Sequence, residues 1–366
     1  MANIRISNLT KSFCSLRVFD GLDLDIPDRA YVCLLGPSGC GKSTLMRIIS
    51  GLDDRHGGTI HFGDKAVEGL SSAERDIGMA FQNYALYPHL TVEGNLRFPL
   101  RAPMQKGRWS EAEMTARVRD TARMLQVEPL LERTIDQLSG GQQQRVSLGR
   151  ALIRHPRVLL LDEPVTHLDA RLRFAMRSEL KQIHDTMGTT TIHVTHDQQE
   201  ALAMSDFLVI MRDGRIEQTG PGMEIYRDPD NSFVAGFLGD AMRTLLDVDL
   251  TSDGQVRLGT AETALPDPLA AIAARASSPQ VTLALPTNSF TMDPDGPISG
   301  TVIAHEMIDS DQRIVLRVGD KRINLMSNTL ARVKNGDTLR ITMSIRDGML
   351  FDRQSGLRLR NGETLT

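Results

Sequence analysis

Residues 4–9 and 18–26 alternate apolar with polar positions, the period of half-buried strands. Residues 31–35, Tyr-Val-Cys-Leu-Leu, are a short continuous apolar run and read as a buried strand. A Gly-rich loop follows it, and residues 42–50 then take a helical pattern. Further apolar runs at 77–81, 158–161, 190–194 and 207–211 alternate with helix-period stretches. That order predicts a parallel sheet flanked by helices. Residues 91–135 break the alternation: they are polar, rich in Glu, Arg and Met, and hold no strand candidate. They predict a helical subdomain on the α/β core. Beyond Asp228-Pro229 the texture changes again. Short alternating segments at 243–250, 255–258, 281–285, 300–305, 313–318, 321–326 and 338–344 are interspersed with the turn pairs Asp253-Gly254, Asn335-Gly336 and Asp347-Gly348. They predict an all-β region, a small barrel or paired barrels. The expected division is therefore residues 1–235, with the helical subdomain at about 91–135, and residues 236–366.

The length of 366 residues exceeds what one ordinary core accommodates, in agreement with two domains. The net charge is −4, and neither half carries a positive excess, so no electrostatic trap for nucleic acid or an anionic membrane is expected. Cys14, Cys33 and Cys40 contain no Cys-x-x-Cys pair, which fits a reducing compartment. No signal peptide is expected behind Met1, and no run approaches the roughly 18 apolar residues of a membrane span. A membrane role would come from docking onto a partner that does span.

Gly36-Pro37-Ser38-Gly39-Cys40-Gly41-Lys42-Ser43 fits the phosphate-loop pattern Gly-x4-Gly-Lys-Ser, between a predicted strand and a predicted helix. Gly36, Ser38, Gly39, Cys40, Gly41 and Thr44 belong to a backbone cradle at a helix N-terminus, where N–H groups and dipole favour phosphate. Lys42 is expected to reach the β- and γ-phosphates, and the Ser43 hydroxyl to ligate Mg²⁺. Val158-Leu159-Leu160-Leu161 leads into Asp162-Glu163. Strand alternation points the two carboxylates in different directions. Asp162 suits the Mg²⁺ shell, and Glu163 can face the γ-phosphate and orient or deprotonate water.

Leu138-Ser139-Gly140-Gly141-Gln142-Gln143-Gln144-Arg145 starts a helix just before that strand. It resembles the signature sequence of ABC ATPases. Ser139, Gly140, Gly141 and Gln142 then form a second cradle, which in the family closes on ATP held by the other subunit. The resemblance implies a homodimer with two composite sites, hydrolysing ATP with Mg²⁺. It carries further roles to matching residues. Phe13 stands where the family stacks an aromatic on adenine, although a core Phe is an alternative. Gln82 matches the glutamine that touches Mg²⁺ and links to the permease; Leu168-Asp169 matches the loop that crosses the dimer. His196 matches the switch histidine at the γ-phosphate, so Lys42, Glu163 and His196 are the expected catalytic residues.

Residues 81–92, Phe-Gln-Asn-Tyr-Ala-Leu-Tyr-Pro-His-Leu-Thr-Val, and Gly236-Phe237-Leu238-Gly239 are similar to the maltose-transporter subgroup of sugar and sugar-phosphate importers. The match is strong to about residue 240 and weak beyond, where Leu350–Gly356 matches the closing strand and turn. The resemblance implies an α/β P-loop ATPase domain with a C-terminal OB-like regulatory domain. The implied partners are integral membrane permease subunits and, indirectly, a solute-binding protein that reads the cargo. The implied location is peripheral, on the cytoplasmic face of the plasma membrane. Two departures stand out. Thr166-His167-Leu168-Asp169 replaces the usual Ser-Asn-Leu-Asp, and a histidine there titrates near neutral pH. Leu283–Asn288 replaces the usual Gly-x-Arg-Pro-Glu-His. A soluble ABC ATPase acting on nucleic acid or ribosomes is the alternative. It fits less well: residues 236–366 hold only Phe237, Phe290 and Phe351 as aromatics and no positive excess. The intact Lys42, Glu163 and His196 argue against a cassette that binds without hydrolysing.

Overall fold

A computed structural model describes residues 3–360 except 167, 240–242, 252–254, 259–260, 275, 277, 309–310 and 329–332. His167 and the Asp253-Gly254 pair thus lie outside the described residues. The N-terminal alternation forms an antiparallel hairpin, β1 (Ile4–Phe13) and β2 (Leu16–Ile26), with Ile4 opposite Ile26. Its buried face carries Ile4, Ile6, Leu9, Phe19, Leu22 and Leu24. β3 (Tyr31–Leu35) is buried at all five positions, as a central parallel strand must be. β4 (Gly57–Phe62) and β5 (Lys65–Ala66) extend the hairpin into a four-stranded sheet of order β2-β1-β4-β5. Neither is predicted by pattern, because Gly57-Gly58 opens β4 and β5 has only two residues.

The second sheet contains β3, β6 (Ile77–Ala80), β7 (Val158–Asp162), β8 (Thr190–Thr195), β9 (Phe207–Arg212) and β10 (Arg215–Gly220). Its order is β10-β9-β3-β8-β7-β6, parallel except for the β9–β10 hairpin. Parallel strands end at a common edge. The segments after β3, β6, β7 and β8 therefore emerge together, where open α/β sheets bind ligands. The helices are α1 (Lys42–Ile49), α2 (Val92–Arg97), α3 (Glu111–Met124), α4 (Gly140–Leu152), α5 (Ala170–Met187) and α6 (Gln198–Met204). Met46 and Ile48 of α1 share one core with Ile4 and Phe19 of the first sheet and Val32 and Leu160 of the second. Residues 91–135 hold α2, α3 and 3-10 turns, with one isolated bridge from Thr91 to Thr134. α3 starts at a reciprocal cap between Ser110 and Glu113.

The chain divides into two units, Met1–Met223 and Glu224–Thr366. α7 (Gly222–Arg227) crosses that division, and α8 (Ser232–Gly239) follows it. The second unit then holds β11 (Arg243–Leu250), β12 (Gln255–Leu258), β13 (Ala261–Ala264), β14 (Gln280–Pro286), β15 (Phe290–Met292), β16 (Ile298–Ile308), β17 (Asp311–Val318), β18 (Lys321–Ser327), β19 (Thr338–Met343) and β20 (Met349–Asp352). They form two five-stranded antiparallel sheets, β13-β12-β11-β14-β20 and β15-β19-β16-β17-β18. The edge strands β15 and β18 approach each other, so the latter sheet is nearly a closed barrel. Leu246, Leu283, Leu316 and Leu350 meet in one core. An α-helix interrupts the β pattern: α9 (Asp267–Ala273) starts after Pro266, with Pro268 in its first turn. The short Ala-rich stretch shows too little periodicity to be read as a helix from sequence.

Candidate functional site

The loop from Gly36 to Gly41 joins β3 to α1. Gly41 caps α1 at φ 107°, and a Cβ there would stand 2.7 Å from Cε1 of Phe19. At Gly36 a Cβ would stand 2.3 Å from the Met211 carbonyl oxygen of β9. Both positions demand glycine for close packing, and Gly41 also for its backbone. The first turn of α1 has no acidic side chain, which leaves its positive N-terminal end for an external anion. Lys42 is buried, and its ammonium donates to the carbonyls of Gly36 at 2.6 Å and Pro37 at 2.9 Å. The loop thus places a cation beside the N-terminal end of α1.

A cavity of about 430 Å³ opens over this loop. Ser38, Gly39, Gly41, Lys42, Ser43 and Thr44 line one wall; Phe13, Leu16 and Val18 line another; Glu163 reaches in. Phe13 is half exposed at the end of β1, with the Lys11 ammonium 4.6 Å from its ring centroid. It is not a core residue, and its accessible ring suits stacking on a flat base. Gly36 and Cys40 belong to the loop but do not line the cavity.

Glu163 leaves β7 in the left-handed backbone region, φ 46°, a conformation costing about 1 kcal/mol or more. Its N–H donates to the Val194 carbonyl at 3.0 Å. Three side chains hold its carboxylate. Gln82 Nε2 donates to Oε2 at 2.9 Å, the Thr166 hydroxyl stands 3.3 Å from the same oxygen, and His196 Nδ1 is 3.4 Å from Oε1. Gln82 follows β6 and His196 follows β8, so the common sheet edge assembles this cluster. Asp162 ends β7. Burial pushes its carboxyl up, neighbouring Glu163 adds to that, and Lys42 opposes it. Asp162, Ser43 and Gln82 each offer oxygen of the kind a hard divalent cation takes.

Ser139 caps α4 and exchanges hydrogen bonds reciprocally with Gln142. Gly140 and Gly141 open the helix, and a Cβ on Gly141 would stand 2.6 Å from Leu172 Cδ2. None of these four residues lines the cavity around Lys42. Asp169 caps α5 and accepts the Leu172 N–H at 2.8 Å. Tyr84 and Ala85 take positive φ, 61° and 48°, after Gln82. Their carbonyls are bound from α4: Ser147 donates to Tyr84, and Arg150 to both. Sequence reasoning missed Ser147, Arg150, Leu16 and Val18. Their types are ordinary for a helix or strand, and only their neighbours make them part of the site.

A family model described as ABC transporter matches residues 19–166. The sn-glycerol-3-phosphate import ATP-binding protein UgpC of Cupriavidus pinatubonensis is 39% identical over 98% of this chain and 100% of its own length. UgpC of Cupriavidus necator is 47% identical over 69% of each chain. The sulfoquinovosyl glycerol transport ATP-binding protein SmoE of Agrobacterium fabrum is 48% identical over 65% of this chain and 66% of its own. Among solved structures, the ATP-binding cassette MJ0796, a dimer in a post-hydrolysis state bound to ADP and Pi, superposes with TM-score 0.54 at 30% identity. That match covers 60% of this chain and 98% of the other.

Proposed function

The chain belongs to the ABC transporter ATP-binding subunits, and we propose that it hydrolyses ATP with Mg²⁺, as a homodimer, to energise import of a carbohydrate-type solute. The observation that carries this reading is the Glu163 carboxylate, tethered by Gln82, Thr166 and His196, entering the same cavity as Lys42 and Ser43. Lys42 exchanges its loop carbonyls for phosphate oxygens, and the α1 N-terminus adds N–H donors. Phe13 stacks on the base. Glu163 orients the attacking water and takes its proton, while His196 meets the γ-phosphate. Ser43, Asp162 and Gln82 would hold Mg²⁺, which would supply charge to offset the phosphates.

Ser139–Gln142 serve the nucleotide of the other subunit, with Asp169 on the loop that crosses between subunits. The absence of these four from the Lys42 cavity supports this, as does the dimeric cassette that the chain resembles. Relatives named for sn-glycerol-3-phosphate import and sulfoquinovosyl glycerol transport support the cargo class. Among the described residues no helix is long and apolar enough to cross a membrane. The translocation path then belongs to permease subunits, which receive this chain peripherally on the cytoplasmic face, with the groove at residues 81–92 against a permease helix. A solute-binding protein takes part indirectly. Residues 236–366 regulate or associate and take no part in chemistry. The test is Glu163→Gln. ATP binding persists, a closed dimer accumulates on gel filtration, and hydrolysis falls at least about 100-fold. Hydrolysis at the parental rate overturns the assignment.

A further inference from the structure

His196 is half exposed, and its Nδ1 reaches Glu163 Oε1 across 3.4 Å. Its aim is therefore set by the backbone on either side of it. That backbone is held from below by a buried carboxyl. Glu200, on α6, is 2% exposed. Its Oε2 accepts the Thr195 hydroxyl at 2.6 Å, and the Thr195 oxygen accepts the Asp197 N–H at 3.0 Å. Asp197 in turn accepts the Glu200 N–H at 2.9 Å, and its other oxygen takes Arg177 of α5 at 2.8 Å. Both neighbours of His196 thus sit in one closed ring of hydrogen bonds that runs through Glu200.

The ring is braced from the sheet. Among the described residues, Glu200 Oε1 and His193 Nε2 are both buried without another hydrogen-bond partner, and they face each other at 3.6 Å. His193 Nδ1 lies 2.8 Å from the Tyr31 hydroxyl. With that hydroxyl donating to Nδ1, the ring proton falls on Nε2 and points at Glu200. Arg177 Nε stands 3.9 Å from Oε1 on the other side. Burial, with Arg177 adding to it, pushes His193 down to about 3, so the ring is neutral at physiological pH. Tyr31 opens β3, the strand that ends in the phosphate loop. Buried polar and ionic groups are often no more stabilising than apolar residues of similar volume, so stability alone is a poor account of the carboxyl.

We propose that Glu200 is a positioning residue for ATP hydrolysis: it holds His196 at the place where it meets the γ-phosphate, and the Tyr31–His193 pair fixes Glu200. The inference rests on the role given to His196 above. The test is steady-state and single-turnover hydrolysis of radiolabelled ATP by the full chain. Glu200→Gln keeps the shape but not the acceptor pair, and kcat falls about tenfold with KM for ATP unchanged within about twofold. Thr195→Val, which opens the same ring elsewhere, gives the same split and decides alone if Glu200→Gln does not fold. In a His196→Ala background, Glu200→Gln or Thr195→Val lowers the residual rate by less than about twofold, because the side chain they aim is gone. A full tenfold loss added to that of His196→Ala, a change in KM alone, or parental kinetics overturns the inference while leaving the site reading intact. Parental hydrolysis by His196→Ala itself is the distinct outcome that removes the site reading and this inference together.

Discussion

Lys11 shows how a single residue can serve the site without entering it. Its side chain is 3% exposed, its ammonium donates to Asp53 at 2.6 Å and to the Arg55 carbonyl, and it lies over the Phe13 ring. Burial raises the Asp53 carboxyl, but the Lys11 hydrogen bond, the Arg55 N–H, and the charges of Lys11 and Arg47 together leave it below its usual value. A carboxyl lowered in the folded state contributes stability above its unfolded pKa of about 3.9, and that contribution is lost as pH falls through the lower folded value. Lys11→Met is therefore expected to cost about 2 kcal/mol at pH 7, by removing the Lys11 ion pair from a partly buried Asp53 that keeps the Arg55 N–H. The loss shrinks toward zero as pH drops below the carboxylate range. Urea denaturation of parent and variant at pH 7 and about pH 2 checks both points, and an equal difference at the two pH values contradicts the ion-pair account.

At the scale of elements, the segment after β6 is tied to the signature helix. Arg150 of α4 donates to the Ala85 carbonyl at 2.6 Å and to the Tyr84 carbonyl at 3.2 Å, and Ser147 adds a third bond. These bonds satisfy carbonyls that the left-handed backbone at Tyr84 and Ala85 turns away from any strand or helix partner. These bonds join α4 to the loop carrying Gln82, whose side chain binds Glu163. Arg150→Ala is expected to leave ATP affinity within about twofold of the parent, because it touches no nucleotide-lining residue. It should lower permease-stimulated hydrolysis about tenfold, the loss typical of a small misplacement remote from the chemistry. Nucleotide titration and ATPase assays in reconstituted vesicles check the two halves. Equal stimulation of parent and variant would show that the tie carries no coupling.

For the whole molecule, the decisive question is how many chains make one site. The cavity at Lys42 contains no signature residue, although Ser139 presents a capped helix end with glycine amides behind it. A mixed dimer with Lys42→Ala in one subunit and Ser139→Arg in the other should retain one intact composite site. A dimer with both changes in the same chain should retain none, because each intact half faces a damaged one. ATP occupancy counted by equilibrium dialysis should therefore differ, about one tightly held nucleotide against about zero. Equal occupancy in both arrangements contradicts the sandwich.

The local chemistry was legible in the sequence because its causes are local. A strand of five apolar residues, glycines where a Cβ would strike Phe19 or Met211, and a helix start without acidic residues lie within a dozen positions. The alternating segments of the second unit were legible for the same reason, since period 2 is a property of consecutive residues. What the tertiary structure decided are pairings that no local rule ranks. Gln82 meets Glu163 across 81 positions, and Tyr31 meets His193 across 162. These distances close only when crossover helices set the strand order β10-β9-β3-β8-β7-β6. The same order makes β8 central and buried on every residue, which places His193 and Thr195 under the switch loop. In the sequence they are a histidine and one of three threonines in a six-residue strand; the choice of sheet neighbours turns them into a brace for His196, because burial strengthens each polar contact and removes water as an alternative partner.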